Sequence, residues 1–258
     1  DKSLQIAYSG MARACLSDGD YSESMRPAKQ GYDRKTYSLA YEQKRKQFAN
    51  DNFAYIAIAV IAVVGLATAG LIISKKKQKV LIKNESARFM FRSMVHPAVC
   101  FEEVQYKKKG SWVCCGVLVL LYYLLSISKT IFGGFAFTMF DASSFQALWI
   151  LVRTAGVAVL WIVCNWMVTT LFSGKGKIRE IAVVTCYSLQ PLIIDAALNL
   201  ILTNCLLQSE YTFISIIHTV LLLYAALMLI IGMVRIHEYS MSKFIGTAVL
   251  TVLGMAII

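Results

Sequence analysis

The sequence predicts an all-α membrane protein: a polytopic helix bundle of one span plus a five-span bundle, preceded by an extracytoplasmic helical hairpin region. The composition is 57% hydrophobic and 16% charged, whereas soluble domains average roughly 45–50% apolar and about 25% charged residues. The apolar residues fall in long runs, as a bilayer requires. Lys and Arg collect between these runs, because a charge in hydrocarbon is costly.

Six apolar runs are long enough to cross a membrane or nearly so, since a spanning helix needs ~20 residues. The predicted spans are Phe53–Ser74, Trp112–Ile131, Phe145–Phe172, Ile181–Leu207, Phe213–Val234 and Phe244–Ile258. They divide the chain into an outer helical segment, a first transmembrane helix, a basic cytoplasmic segment and a five-span domain. These four parts are residues 1–52, 53–74, 75–111 and 112–258.

The distribution of positive charge predicts the orientation. Residues 75–111 carry ten Lys and Arg, and the loops 132–144 and 208–212 carry none. Because basic loops stay in the cytoplasm, the N-terminal segment and the C-terminus are expected outside. Residues 44–46, which are Lys-Arg-Lys, oppose this orientation, but long tails translocate largely regardless of charge.

The net charge of +11 favours anionic lipid headgroups as partners and not nucleic acid, because the basic residues lie beside spans and no groove-reading motif accompanies them. The seven cysteines show no metal-ligand spacing. No His-Glu-x-x-His motif, phosphate-binding loop or nucleophile elbow is present. The sequence therefore predicts no enzyme, no cofactor and no metal site.

The N-terminal segment has the pattern of a helical hairpin. Gly10 and Ala14 are small residues one turn apart, and Asp18-Gly19-Asp20 makes a turn. Tyr21 and Met25 then restart the apolar face. This pattern resembles a tetratricopeptide repeat. The resemblance implies helices that meet through small residues and a partner-binding surface at Tyr21 and Met25. Because one repeat cannot bury its own face, further repeats or another domain are expected before it.

Five short segments from the basic loop onward resemble sequence motifs of one known protein family. They are Lys109-Gly110-Ser111-Trp112, Asn165-Trp166, Gly174-Lys175-Gly176-Lys177, Tyr187-Ser188-Leu189-Gln190-Pro191 and Ile236-His237-Glu238-Tyr239-Ser240. From about residue 101 the chain resembles the Yip family of membrane proteins (Ypt/Rab-interacting proteins and their bacterial relatives), in its bacterial branch.

The resemblance implies a five-span bundle with a cytoplasmic N-terminal side. The Asp-Leu-Tyr-Gly-Pro signature of eukaryotic relatives is absent, which argues against Rab binding. Bacterial relatives are often encoded beside ABC-type sugar importers, so the resemblance implies an accessory role in carbohydrate transport, with transporter permease subunits as partners.

The candidate polar residues inside the predicted spans are Asp195, Arg153, Lys129 and Asn165. Asp195 lies near mid-membrane, where a lone carboxylate is costly. One interpretation is a proton or ion relay through Asp195 with Arg153 as its partner. The other is a polar clasp between helices, with the two cations extending outward.

Pro191 is expected to kink the fourth span. On the cytoplasmic side, the resemblance singles out further candidate residues. They are Gly110, Trp112, Lys175, Lys177, His237, Glu238 and Tyr239. The His-Glu-Tyr segment either caps the fifth span or docks a partner.

The sequence thus favours a non-enzymatic accessory or scaffold subunit, multi-pass in a bacterial cell membrane. The first alternative is a small permease or channel that uses Asp195, Arg153 and Pro191. The second is a membrane-trafficking or membrane-shaping factor.

Overall fold

The computed structural model describes residues 2–52, 55, 84–137 and 145–257. The predicted first span, Phe53–Ser74, lies outside the described residues except for Tyr55, and so does the basic run 75–83. The described residues form eleven helices. These are α1 Lys2–Ser17, α2 Tyr21–Gln30, α3 Arg34–Asp51, α4 Glu85–Val95, α5 Pro97–Lys107, α6 Trp112–Phe132, α7 Ala147–Leu171, α8 Ile178–Ser188, α9 Gln190–Cys205, α10 Tyr211–His237 and α11 Met241–Ile257.

The structure confirms the all-α polytopic membrane fold. Four helical stretches in the described part of the chain are long and apolar enough to cross a bilayer. They are α6, α7, α8 together with α9, and α10 with the 3₁₀ turn Gln208–Glu210 before it. Helix α11 is apolar and shorter, at 17 residues, which corresponds to ~25 Å of helix. All five coincide with spans predicted from the sequence.

The chain divides into two compact units. The described part of the first, called here the N-terminal unit, consists of α1–α3 with residues 134–137 and 205–211. The described part of the second, the membrane unit, consists of residues 84–133, 145–204 and 212–257. The four-part division predicted from the sequence stays a prediction, because its first boundaries fall outside the described ranges.

Small side chains hold the N-terminal unit together. Ala12 and Ala28 are fully buried, and the buried Ser24 Oγ donates a hydrogen bond of 2.7 Å to the Ala12 carbonyl. Gly10 and Ala14, the small residues singled out in the sequence, are exposed instead. Each lies two positions from Ala12, and two steps of about 100° turn a side chain to the opposite helix face.

Within the N-terminal unit, helix α3 contacts the two loop segments, residues 134–137 and 205–211. Arg45 pairs with Glu210 through two hydrogen bonds, Nη1 to Oε2 at 3.0 Å and Nη2 to Oε1 at 2.9 Å. The Tyr37 ring meets the Phe135 ring edge-on, with centroids 5.1 Å apart. A bidentate Arg–carboxylate pair fixes geometry as well as distance. Residues 134–137 and 205–211 are therefore held against α3.

Helix α8 is the centre of the membrane unit. It packs against α4, α5, α6 and α7, and 72% of the most apolar part of the α8–α9 stretch is buried. Gly232 of α10 allows a close approach, since a Cβ there would lie 2.2 Å from Val184 Cγ1 and 3.0 Å from Phe101 Cδ2. A glycine at this position lets α5, α8 and α10 meet without overlap.

The end of the predicted basic segment belongs to this core. Helices α4 and α5 lie within residues 75–111, and Phe101 and Val104 of α5 are fully buried. Lys107 and Arg92 remain largely exposed. Exposed basic residues and buried core residues thus share these two helices.

Candidate functional site

Three of the five segments that carry the family resemblance lie at one end of the membrane unit. We call the group made by Gly110, Gly174–Lys177 and His237–Tyr239 the motif cluster. At its centre Glu238 forms an ion pair with Lys175. The Tyr106 hydroxyl donates to Glu238 Oε1 at 2.7 Å, and Gln105 Nε2 donates to the same oxygen at 3.1 Å. One carboxylate therefore links α5, the loop before α8 and the end of α10.

These contacts shift the protonation equilibria of the pair. The Lys175 ammonium, followed by the Tyr106 hydroxyl, lowers the pKa of Glu238. The same carboxylate raises the pKa of Lys175. Both groups are therefore charged at neutral pH, and the pair acts as a fixed electrostatic contact.

The imidazole of His237 supports the loop that precedes α8. The Gly176 N–H donates to His237 Nδ1 at 3.2 Å, and the imidazole stacks on the Tyr239 ring with centroids 5.1 Å apart. A Cβ on Gly174 would lie 2.5 Å from the Tyr239 hydroxyl, and one on Gly176 would lie 2.8 Å from His237 Cε1. The two glycines thus let the backbone rest directly on the rings. Among the described residues, His237 Nε2 and the Tyr239 hydroxyl have no hydrogen-bond partner.

Gly110 and Trp112 shape the start of α6. Gly110 has φ +103°, which favours glycine, and a Cβ there would lie 2.7 Å from Val183 Cγ1. Arg179 Nη2 donates to the Gly110 carbonyl at 2.7 Å. Trp112 is 57% exposed as the first residue of α6, a position typical of aromatic anchors at a membrane interface. Lys177 caps α8 through its backbone, since its N–H donates to Glu180 Oε2 at 2.7 Å.

Sequence reasoning missed Gln105, Tyr106, Arg179 and Glu180, which complete the motif cluster. All four flank segments that were singled out, at two to four residues' distance in the chain. The sequence feature that could have identified them is that they are polar residues at the ends of apolar runs. Only the fold shows that Gln105 and Tyr106 meet Glu238, and that Arg179 meets Gly110, across distant parts of the sequence.

A second candidate site is a polar cavity of about 330 Å³ inside the membrane unit. Lys129 of α6, Arg153 of α7, Asp195 of α9 and His218 of α10 all line it. The structure thus brings together three of the four intramembrane residues chosen from the sequence. Asn165 lies elsewhere, where its Nδ2 donates to Thr251 Oγ1 of α11 at 3.4 Å.

The observed partner of Asp195 is His218 and not Arg153. Asp195 is 6% exposed, and its Oδ2 lies 2.9 Å from His218 Nδ1. Helices α9 and α10 are consecutive and antiparallel, and Asp195 lies ~15 Å from the end of α9 while His218 lies ~10 Å from the start of α10. The similar depth of Asp195 and His218 follows from their positions in the sequence. The imidazole of His218, on the next helix in the chain, therefore pairs with the Asp195 carboxylate. Arg153 lines the same cavity.

The backbone around Arg153 is irregular. Residues Val152–Gly156 form a π-helical turn, and the buried Thr154 Oγ1 donates to the Ile150 carbonyl at 2.8 Å. Such turns inside helices occur frequently at functional sites. The π turn changes the direction of Arg153 relative to a regular helix.

The fourth span is interrupted beside Pro191. Helix α8 ends at Ser188 and α9 begins at Gln190. The Leu189 N–H turns back to the Cys186 carbonyl at 3.2 Å. Because proline has no N–H, the preceding turn lacks a donor and an interruption here is expected. The Gln190 side chain then donates to Ser93 Oγ of α4 at 3.1 Å.

Within the described ranges, no three His, Cys, Asp or Glu side chains lie close enough together to hold a metal ion. No curated protein and no solved structure matches the chain significantly. The Yip1 domain matches residues 91–258, which is more than half of the chain. This range covers nearly all of the membrane unit, including the motif cluster and the polar cavity. The chain is an integral membrane protein and belongs to the Yip1 domain family.

Proposed function

We propose that this chain is a non-enzymatic scaffold in the membrane, an accessory subunit whose N-terminal unit binds a partner protein. The main support is the exposed apolar surface of α1, where Leu4 and Met11 lie seven positions apart on one exposed apolar face and Ile6 lies on the opposite side. Leu4, Ile6 and Met11 are 54%, 74% and 57% exposed, although α1 is not among the candidate membrane spans. Exposed apolar surface on an aqueous helix marks an interaction site.

The motif cluster supports a structural role. Glu238 is bonded to Lys175, Tyr106 and Gln105 at once. The Glu238 charge is neutralised by Lys175, and Gly174 and Gly176 allow close packing of the backbone on the rings. A cluster of this kind stabilises one arrangement of helices on which partners can assemble.

The partner class we propose is the permease subunits of an ABC-type sugar importer, with the tetratricopeptide-like N-terminal unit, including Tyr21 and Met25, facing outward. The support is the resemblance to the bacterial branch of the Yip family. The proposed location is a bacterial cell membrane with both termini outside. Its support is the positive charge of residues 75–111, together with the Arg45–Glu210 contact to a loop without basic residues.

A photo-crosslinking amino acid at Met11 tests the proposal in intact cells. We expect an adduct with an importer subunit, because Met11 belongs to the exposed apolar face. The same amino acid at Lys29, an exposed polar position on α2, is the control and should give no adduct. A monomeric chain after mild-detergent purification, together with no adduct at Met11, would overturn the proposal.

A second candidate function, a small permease, is favoured by the polar cavity and the Asp195–His218 pair. Asp195→Asn removes the charge and keeps the shape of the side chain. In proteoliposomes that contain the chain alone, a permease would show ion flux that this variant loses while it still folds. A variant that assembles with its partners and leaves their transport intact would instead support a structural role for Asp195.

A further inference from the structure

Among the described residues that line the polar cavity, positive groups outnumber negative ones. Asp195 already has a partner, because its Oδ2 lies 2.9 Å from His218 Nδ1. Neither Lys129 nor Arg153 forms a side-chain hydrogen bond or ion pair with any described residue, although both line the same cavity. Two cations thus face a single carboxylate that already has a partner. Lys129 is half-buried and Arg153 is exposed, so both charges are available to an anion that enters this cavity.

The charges are arranged by depth. Lys129 lies ~4 Å from the end of α6, and Arg153 lies ~9 Å from the start of α7. Asp195 is deepest, ~15 Å from the end of α9. Lys129 is therefore nearest the aqueous interface, where an anion arrives, Arg153 and His218 lie at similar depth, and Asp195 forms the floor of the cavity.

We propose that this cavity is a binding site for a phosphate oxyanion, with Lys129 and Arg153 as its cationic ligands. A guanidinium presents paired N–H donors that match two phosphate oxygens, and a lysine adds a point charge. The cavity of about 330 Å³ is within the size range of small-ligand sites. The phosphate belongs either to a phospholipid headgroup or to a free phosphate compound. The site does not depend on the proposed scaffold function.

The experiment uses the full chain purified in detergent. Native mass spectrometry measures retained phospholipid, and equilibrium dialysis with radiolabelled inorganic phosphate measures free-anion binding. Arg153→Gln and Lys129→Gln should each weaken binding about tenfold, which corresponds to about 1.4 kcal/mol. Arg235→Gln is the control, because it removes one positive charge from α10 outside this cavity and should change nothing.

Asp195→Asn separates a binding site from a merely structural cluster. Removing the negative charge from the floor of the cavity should tighten anion binding, and a damaged fold cannot produce a gain. Arg153→Lys keeps the charge but loses the paired donors, so it should bind less tightly than wild type and more tightly than Arg153→Gln.

The two assays also separate the sources of phosphate. Retained phospholipid that is lost in the Gln variants, with no inorganic phosphate bound, supports the site with a lipid headgroup as its ligand. Saturable phosphate binding that the same variants weaken supports it with a free phosphate compound. The proposal is overturned if the wild-type chain binds neither, if Arg153→Gln and Lys129→Gln match Arg235→Gln, or if Asp195→Asn binds no more tightly than wild type.

Discussion

At the scale of single residues, the intramembrane polar groups show what a sequence can and cannot give. Asp195, Arg153 and Lys129 were recognisable because charges inside apolar runs are rare. Their shared cavity could be anticipated, since all three lie toward the same side of the membrane. The pairing of Asp195 with His218 could not be, because the contact depends on which helices are neighbours and how each is rotated. The π turn at Val152–Gly156, which redirects Arg153, has no periodic signal in the sequence.

Glu238 provides a test of the motif cluster. Its pKa is lowered below the ordinary value of 4.5 by Lys175 and then Tyr106. A carboxylate with a lowered folded pKa stabilises the fold above its unfolded pKa, and this contribution is lost as the pH falls through the folded pKa. Glu238→Gln should therefore lower the thermal unfolding midpoint at pH 7, and the difference from wild type should shrink below about pH 4.5.

Thermal unfolding in detergent at pH 7 and pH 4 measures this difference. Glu85→Gln is the matched control, since Glu85 is an exposed carboxylate at the start of α4 and forms no ion pair with described residues. A Glu238→Gln effect of the same size at both pH values would show that charge does not stabilise the cluster.

At the scale of helices, most boundaries were predictable and most contacts were not. Apolar runs gave α6, α7, the α8–α9 stretch, α10 and α11, because length and hydropathy decide whether a segment can span a membrane. Proline chemistry indicated the interruption beside Pro191. The burial of α4 and α5 against α8 was not anticipated, because basic residues dominate that part of the sequence. In the N-terminal unit, the sequence favoured Gly10 and Ala14 over Ala12 as interface residues, since composition alone does not show which face points inward.

Gly232→Ala tests the meeting of α5, α8 and α10. The added methyl group would overlap Val184 and crowd Phe101, and overpacking of this kind costs about 1–3 kcal/mol. We expect a clear drop in the thermal unfolding midpoint. Gly246→Ala in α11 is the control, since no atom lies within 4 Å of a Cβ there. Equal effects of the two substitutions would contradict the close approach.

Gly31→Ala applies the same logic to the N-terminal unit. A Cβ there would lie 2.5 Å from Ser9 Oγ and 2.7 Å from the Ser9 backbone nitrogen, so α1 must move away. The control, Gly10→Ala, adds a methyl group in open space on an exposed helix and should stabilise by roughly 0.5–1 kcal/mol. Amide hydrogen exchange over residues 2–52 should rise in the first variant and fall in the second. Unchanged protection in Gly31→Ala would mean that α1 and the end of α2 are not in close contact.

At the scale of the whole molecule, the sequence predicted the family, the all-α class and the positions of the described spans, because hydropathy acts over whole segments. It could not predict that residues 134–137 and 205–211 join α1–α3 in one unit. That association depends on the Arg45–Glu210 pair, whose members are separated by 165 positions. Charge alone did not identify this pair, because Arg45 is one of three basic residues beside the first predicted span.

Membrane topology is the prediction that connects these scales. Arg45 and Glu210 are in contact, so the N-terminal helices and the loop at residues 205–211 must lie on the same side of the membrane. The ten basic residues of 75–111 predict that this segment lies in the cytoplasm and the loop at 205–211 lies outside. The native Cys205 is exposed and can report on the loop, and Asp18→Cys and Lys107→Cys can report on the α1–α2 turn and the end of α5. Each is made in a chain whose remaining cysteines are Ala. With a membrane-impermeant maleimide, Cys205 and Asp18→Cys should react in intact cells, and Lys107→Cys only after permeabilisation.

Reaction of Asp18→Cys and Cys205 from opposite sides would mean that the Arg45–Glu210 contact does not form in the membrane. Reaction of all three in intact cells would refute the predicted crossing between residues 52 and 84, and a fully inverted pattern would show that the basic segment does not determine the orientation.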